Sequence, residues 1–204
     1  MDLGIFTNFW DGRPHYLPFL SLTALPCDET QNCNLQWSIS KLEAILQSNP
    51  DPTIAEGIRL LLQQDNWRMH LVGAVSMLLI KKATREDLIG LFWERLSKGS
   101  WVSPQLLVVL SISDKSFTSK GQIILEQGFK IHYAARSPMD DHPGSTAGIP
   151  TTISENKIMA VINYLLYDVI EDNDDNNHAG SLAKNWEERL YDLMDANILK
   201  HGNF

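Results

Sequence analysis

Apolar residues between positions 35 and 128 recur at helical spacing, and polar turn residues separate each apolar stretch from the next. Asp51-Pro52 and Ser103-Pro104 each place a capping side chain before a proline, which gives up no hydrogen bond at the first helical position. Thr84 and Asp87 resemble a capping box at the start of another apolar run. These signals predict six short helices, at 36–48, 52–64, 66–80, 85–98, 103–113 and 117–127. Short loops would make consecutive helices antiparallel neighbours.

Three tryptophans, Trp37, Trp67 and Trp101, fall near the start of the first helix of each successive pair, at spacings of 30 and 34 residues. Asp65 to Leu78 resembles one helix of a HEAT-type repeat, in which an acidic residue, a tryptophan and an arginine lead an alanine- and leucine-rich helix. The stretch from Trp101 to Leu110 is a weaker second copy, because no arginine follows its tryptophan. The resemblance covers residues 35 to 128 and implies helix pairs stacked in a right-handed solenoid, with a compact helical array as the alternative.

The segments that flank these helices differ in kind. Residues 1–34 place aromatic side chains among glycines and prolines, so we expect an irregular cap packed across the first helix pair. Residues 129–154 form a long loop with three prolines, and a loop of this length is either functional or disordered. Residues 155–204 predict an acidic helical subdomain with two further helices. The first is apolar on nearly every face from Ile158 to Ile170 and is expected to be buried. The second uses Leu182, Trp186, Leu190, Leu193 and Leu199.

Length and composition agree with an all-α chain that folds as a single domain over residues 1–204. No apolar run approaches the roughly 20 residues that cross a bilayer, so a membrane partner is not expected. Cys27 and Cys33 are the only cysteines, far below the density of a disulfide-stapled secreted domain. We therefore expect a soluble cytoplasmic protein in which both thiols are reduced. The sequence leaves open whether the two cysteines can form a disulfide.

The net charge is confined to the last third of the chain. Residues 1–137 contain 13 Lys and Arg against 13 Asp and Glu, whereas residues 138–204 contain 4 against 12, which accounts for the net charge of −8. Because nonspecific nucleic-acid affinity comes from cations that neutralise phosphates, this distribution argues against a nucleic-acid partner. It favours a basic protein partner instead.

Candidate catalytic and metal-binding groups are weak. Asp140, Asp141 and His142 could bind a divalent metal or exchange a proton, but an ordinary solvated loop explains them more simply. An EF-hand loop starting at Asp172 would need glycine at position 177 and glutamate at position 183, but the chain has Asn177 and Ala183 there, so this motif is absent. Gly-x-Ser-x-Gly, His-Glu-x-x-His and Cys-x-x-Cys motifs are absent from the sequence. No catalytic residue, cofactor or metal site is predicted.

The leading interpretation is a non-catalytic module that docks a basic protein partner through its acidic C-terminal third, at Asp172, Asp174, Asp175, Glu187 and Glu188. An immunity-like inhibitor of a bacterial effector is one version. The alternative is a hydrolase or nucleic-acid-modifying enzyme, because some HEAT-like proteins process alkylated DNA bases on their concave face. That function would use Trp67, Arg68, His70 and Trp101, although packing at helix starts also explains the tryptophans.

Overall fold

The computed structural model of the chain describes residues 2–23, 34–132 and 151–199. Throughout these ranges the regular structure is helical and no strand occurs, which confirms the prediction of an all-α fold. Two short 3-10 helices span Gly4–Phe9 and Asp174–Asn176. The α-helices are α1 (Leu17–Ser21), α2 (Leu35–Gln47), α3 (Asp51–Gln63), α4 (Trp67–Leu79), α5 (Lys82–Ser97), α6 (Ser103–Ser113), α7 (Phe117–Gln127), α8 (Thr151–Tyr167) and α9 (Ala179–Asp195).

The six helices predicted between residues 35 and 128 are all present as α2 to α7, with starts and ends close to those predicted. Their capping was predicted less well. Asp51 lies inside the first turn of α3, where its carboxylate binds the Lys81 ammonium at 3.0 Å instead of capping the helix. Thr84 is buried within α5, which begins at Lys82, so the predicted capping box does not form.

Two central helices have almost no solvent-facing side. In α6 every residue from Ser103 to Leu110 is buried, and the helix packs against α4, α5, α7, α8 and α9. In α4 every residue from Met69 to Leu78 is buried. A helix that is apolar all round must be surrounded by other helices, and these two apolar runs accordingly form the centre of the core.

The helices pack in an order that combines two arrangements. Alternate helices lie side by side, because α2 contacts α4, α4 contacts α6, α6 contacts α8, and α3 contacts α5. This order is expected for stacked helix pairs. However, α9 returns to α6 and also contacts α1, where the Trp186 indole N–H donates to the Phe19 carbonyl at 2.9 Å. The right-handed solenoid therefore remains a prediction beside the compact array.

The N-terminal aromatic residues pack against the first helices. Phe6, Phe9 and Phe19 are buried, and the 3-10 helix Gly4–Phe9 lies against α2 and α3. Its approach to α3 is close at Gly57, where an added Cβ would lie 2.9 Å from the Phe6 ring. A side chain at this position would therefore push the first 3-10 helix away from α3.

The C-terminal helices differ from the sequence prediction in two places. Helix α8 ends at Tyr167, so Val169 and Ile170 are exposed and not buried as predicted. In α9 the predicted core residue Leu182 is 45% exposed. The inner stripe of α9 is instead formed at helical spacing by two small residues and two large ones, Ala179, Ala183, Trp186 and Leu190.

Several predictions fall on residues that the structure does not describe. These are the Cys27 and Cys33 thiols, the acidic group at Asp140, Asp141 and His142, and residues 133–150 of the long loop. The end of the predicted loop, from Thr151, belongs to α8. Among the helices of the described ranges, none combines the length and the apolar character needed to cross a bilayer.

Candidate functional site

Three carboxylates converge where α8 ends beside the middle of α9. The Tyr164 hydroxyl of α8 donates a 2.6 Å hydrogen bond to the carboxylate of Glu187 on α9. Burial raises the pKa of Tyr164, and it is raised further by this hydrogen bond and by the negative charges of Glu187, Asp168 and Glu188. The three carboxylates, which we call the α8–α9 acidic cluster, therefore act on the same hydroxyl group.

This cluster is only partly neutralised by nearby cations. The Lys184 ammonium lies 3.9 Å from the Glu188 carboxylate, and both side chains are exposed, so the attraction is weak. Arg189 belongs to the same helix, but its guanidinium donates to the Ser21 carbonyl at 2.8 Å. Most of the negative charge thus stays available to solvent or to a partner.

The turn between α8 and α9 separates the predicted acidic residues by role. Asp172 accepts hydrogen bonds from the backbone N–H groups of Gly180 and Ser181, at 3.1 and 3.3 Å, and so caps the start of α9. Asp174 and Asp175 are exposed on the 3-10 helix of the turn. The five residues predicted to bind a partner therefore comprise one cap, two turn residues and two members of the α8–α9 acidic cluster.

The capping role of Asp172 can be measured. Asp172→Ala is expected to lower the free energy of unfolding by about 0.5–2 kcal/mol, because the first N–H groups of α9 lose their acceptor. Asp175→Ala, three residues away, should change it by less than about 0.5 kcal/mol, as is usual for surface positions. Urea unfolding of both variants provides the measurement, and equal effects would mean that Asp172 does not cap α9.

Exposed apolar side chains gather in the same part of the chain. Of the eight large apolar residues that are exposed among the described residues, six lie between positions 167 and 198: Tyr167, Val169, Ile170, Leu182, Tyr191 and Ile198. Tyr191 also lies close to the acidic cluster, since its pKa is raised by burial and by the charge of Glu187. Because protein interfaces are enriched in tyrosine, Tyr167 and Tyr191 are the members of this group best suited to contact a partner.

The residues of the alternative enzyme interpretation are held in structural contacts. His70 is fully buried between the Ser100 hydroxyl at 2.9 Å and the Gln64 carbonyl at 2.6 Å. Arg68 lies over the Trp67 ring, and its Nε–H donates to the Tyr16 hydroxyl at 2.8 Å. Within the described part of the chain no ion pair joins Arg68 to a carboxylate. Both polar side chains of the group, Arg68 and His70, are therefore engaged in structural hydrogen bonds.

The three repeated tryptophans differ in exposure. Trp67 is buried and Trp37 is half-buried, both in the first turns of their helices. Trp101 is 40% exposed, so it is the least buried of the three but still partly buried, as predicted. It precedes α6 in a turn and rests against Trp67, with the ring centroids 5.2 Å apart. One side of the indole therefore faces solvent.

A scan against protein-family models matches no family, and searches of curated proteins and of solved structures find no match to the chain. The HEAT-like interpretation of residues 35–128 accordingly stays a prediction. Across the described ranges, no three His, Cys, Asp or Glu side chains are arranged to hold a metal ion. Any functional conclusion therefore depends on the surface itself.

Proposed function

We propose that this protein is a binding module that docks a basic protein partner through the acidic surface formed by α8, α9 and the turn between them. The observation that carries the proposal is the 2.6 Å hydrogen bond from Tyr164 to Glu187, which joins α8 to α9 where Asp168 and Glu188 are exposed. Like charges held together repel one another, and a cationic partner relieves this repulsion on binding. Complementary charge also speeds encounter and selects among partners.

The exposed apolar residues would supply binding energy that the carboxylates alone do not supply. Carboxylates steer a partner from a distance, but binding energy at interfaces comes mainly from aromatic and other large side chains. Tyr167 and Tyr191 are 54% and 48% exposed on α8 and α9. An immunity-like inhibitor that covers a basic bacterial effector is one form of this function, and the acidity of the chain supports it.

The proposal is tested with a variant that removes negative charge without disturbing capping. The triple variant Asp168→Asn, Asp174→Asn and Glu188→Gln leaves Asp172 and Glu187 in place. Asn suits position 168 because the backbone there has a φ of 55°, which asparagine tolerates well. The matched control neutralises three carboxylates on α2, α3 and α5, with Glu43→Gln, Glu56→Gln and Asp87→Asn.

A basic protein captured from the native cell by the wild type serves as the partner. The surface variant should associate with it more slowly by about tenfold at low salt, whereas the control variant should associate at the wild-type rate. The wild-type rate should fall as salt rises, because exposed charges are screened beyond roughly 8–10 Å at 0.1–0.15 M ionic strength. Stopped-flow or surface plasmon resonance measures these rates. Equal rates for the two variants would refute the proposal.

A further inference from the structure

A cavity of about 370 Å³ lies between α7, α8 and the turn that precedes α9. Its apolar lining, which we call the floor, is formed by Leu125 of α7 together with Met159 and Ala160 of α8. The volume is near the lower end of the range for ligand pockets, roughly 300–1,000 Å³. The cavity is therefore large enough to receive a side chain of a partner.

The walls of the cavity carry solvent-accessible polar groups that have no partner among the described residues. The carboxylates of Glu171 and Asp175 form no ion pair or hydrogen bond with the described residues, and neither do the side-chain amides of Asn156 and Asn163. No lysine, arginine or histidine of the described chain lines the cavity. It thus presents two negative charges and two amide groups above an apolar floor.

The turn that forms one wall is fixed before any ligand arrives. The side-chain oxygens of Asn173 and Asn176 each accept a hydrogen bond from the other residue's backbone N–H, at 3.0 and 3.1 Å. The Asn176 amide also donates to the backbone carbonyl of Glu171. Since these bonds already hold Glu171 and Asp175 beside the cavity, little ordering would be needed on binding.

We propose that this cavity receives an arginine side chain of the basic partner, an inference that rests on the proposed function. The aliphatic stem of arginine would cover Leu125, Met159 and Ala160, as long cationic side chains cover apolar surface elsewhere. Its guanidinium has five N–H donors in a planar fork, which suits a wall with several carboxylate and amide oxygens. A bare metal ion would leave the apolar floor unfilled, and a neutral apolar group would leave the carboxylates without a partner.

The arginine site is tested with N-acetyl-L-arginine amide, a probe whose only charge is the guanidinium. Its titration into the protein should shift the NMR signals of the Asn156 and Asn163 side-chain amides in a saturable manner. N-acetyl-L-citrulline amide has nearly the same shape without the charge and should leave these signals unchanged. Equal shifts with the two compounds would overturn the proposal.

Two variants test separately whether probe binding depends on the charge of the cavity and on its shape. Glu171→Gln with Asp175→Asn removes both charges and should weaken probe binding by about tenfold or more. Ala160→Leu keeps the charge but fills the floor, and should also prevent saturation. Asp192→Asn with Asp195→Asn makes the same charge change on the exposed side of α9 and should bind like the wild type. Wild-type binding by either pocket variant would contradict the proposed site.

Binding of the captured partner distinguishes failure of this site from failure of the proposed function. If the arginine site is correct, the Glu171→Gln and Asp175→Asn variant should lose affinity chiefly through faster dissociation. If this variant binds as the wild type does, while the Asp168, Asp174 and Glu188 variant associates slowly, the arginine site is wrong and the proposed function stands. If both variants bind the partner like the wild type, the proposed function is wrong, and so is the role given to the cavity.

Discussion

Replacing Leu107 with alanine is expected to lower the free energy of unfolding by about 2–5 kcal/mol. Leu107 is completely buried in α6, and α6 is enclosed by five other helices. The removed methyl groups would therefore leave a cavity that the surrounding helices cannot easily close. Urea denaturation followed by circular dichroism gives the difference, provided that the dependence on urea concentration is unchanged.

The matched control for this experiment is Ile123→Ala on α7. Ile123 also has a branched aliphatic side chain in a helix, but it is 51% exposed. Its replacement should change the free energy of unfolding by no more than about 0.5 kcal/mol, as is usual at surface positions. If the two substitutions had equal effects, α6 would not be the centre of the core.

The helices could be predicted because the residue pattern that specifies each helix lies within a short stretch of the sequence. The apolar runs of α4 and α6 are continuous, and turn residues mark their limits. The caps could not be assigned in the same way, because a helix start also depends on packing. Helix α5 begins at Lys82, before Thr84, and its buried Arg85 guanidinium donates to the Ile80 carbonyl at 3.0 Å, at the end of α4. That contact joins two helices and cannot be seen in a capping pattern.

The sequence predicted the negative charge of the candidate surface but not the role of each acidic residue in it. The excess of acidic residues after position 137 is a property of the sequence, and the structure exposes Asp174, Asp175 and Glu188 of this segment. The sequence did not distinguish Asp172, which caps α9, from Asp174, which is exposed. Asp168 was missed because its role depends on how α8 packs against α9 beside Tyr164.

The cavity could not be predicted from the sequence either, because the residues that line it are distant from one another in the chain. Leu125 and Asp175 line it from elements that are far apart in sequence, and no pattern relates the two positions. Asn156 and Asn163 lie seven residues apart on α8, which places them on one face of the helix. Two asparagines at that spacing are too common to predict a binding site without the turn that covers them.

Acid is expected to destabilise the protein through His70. Burial is the main cause that lowers the pKa of His70 to about 3, and the nearby positive charge of Arg95 lowers it further, against the hydrogen bond to the Gln64 carbonyl. In the unfolded chain the imidazole has its ordinary pKa of 6.5. Between these two values the unfolded state binds a proton that the folded state does not. The stability is therefore complete above about pH 6.5 and falls as the pH decreases toward 3.

Well inside this window each pH unit should cost about 1.4 kcal/mol, but near pH 6.5 the unfolded imidazole is only half protonated and the cost is smaller. Lowering the pH from 6.5 to 4.5 should therefore lower the free energy of unfolding by about 2 kcal/mol. Urea unfolding at these two pH values measures the change. His15 contributes in the same direction, because burial also lowers its pKa.

The variant His70→Gln isolates the contribution of His70, since glutamine has a donor and an acceptor but does not titrate. Its stability should depend less on pH between 6.5 and 4.5 than that of the wild type, even though the substitution itself lowers stability at neutral pH. An identical dependence on pH in the two proteins would show that His70 is not kept neutral by its burial between Ser100 and Gln64.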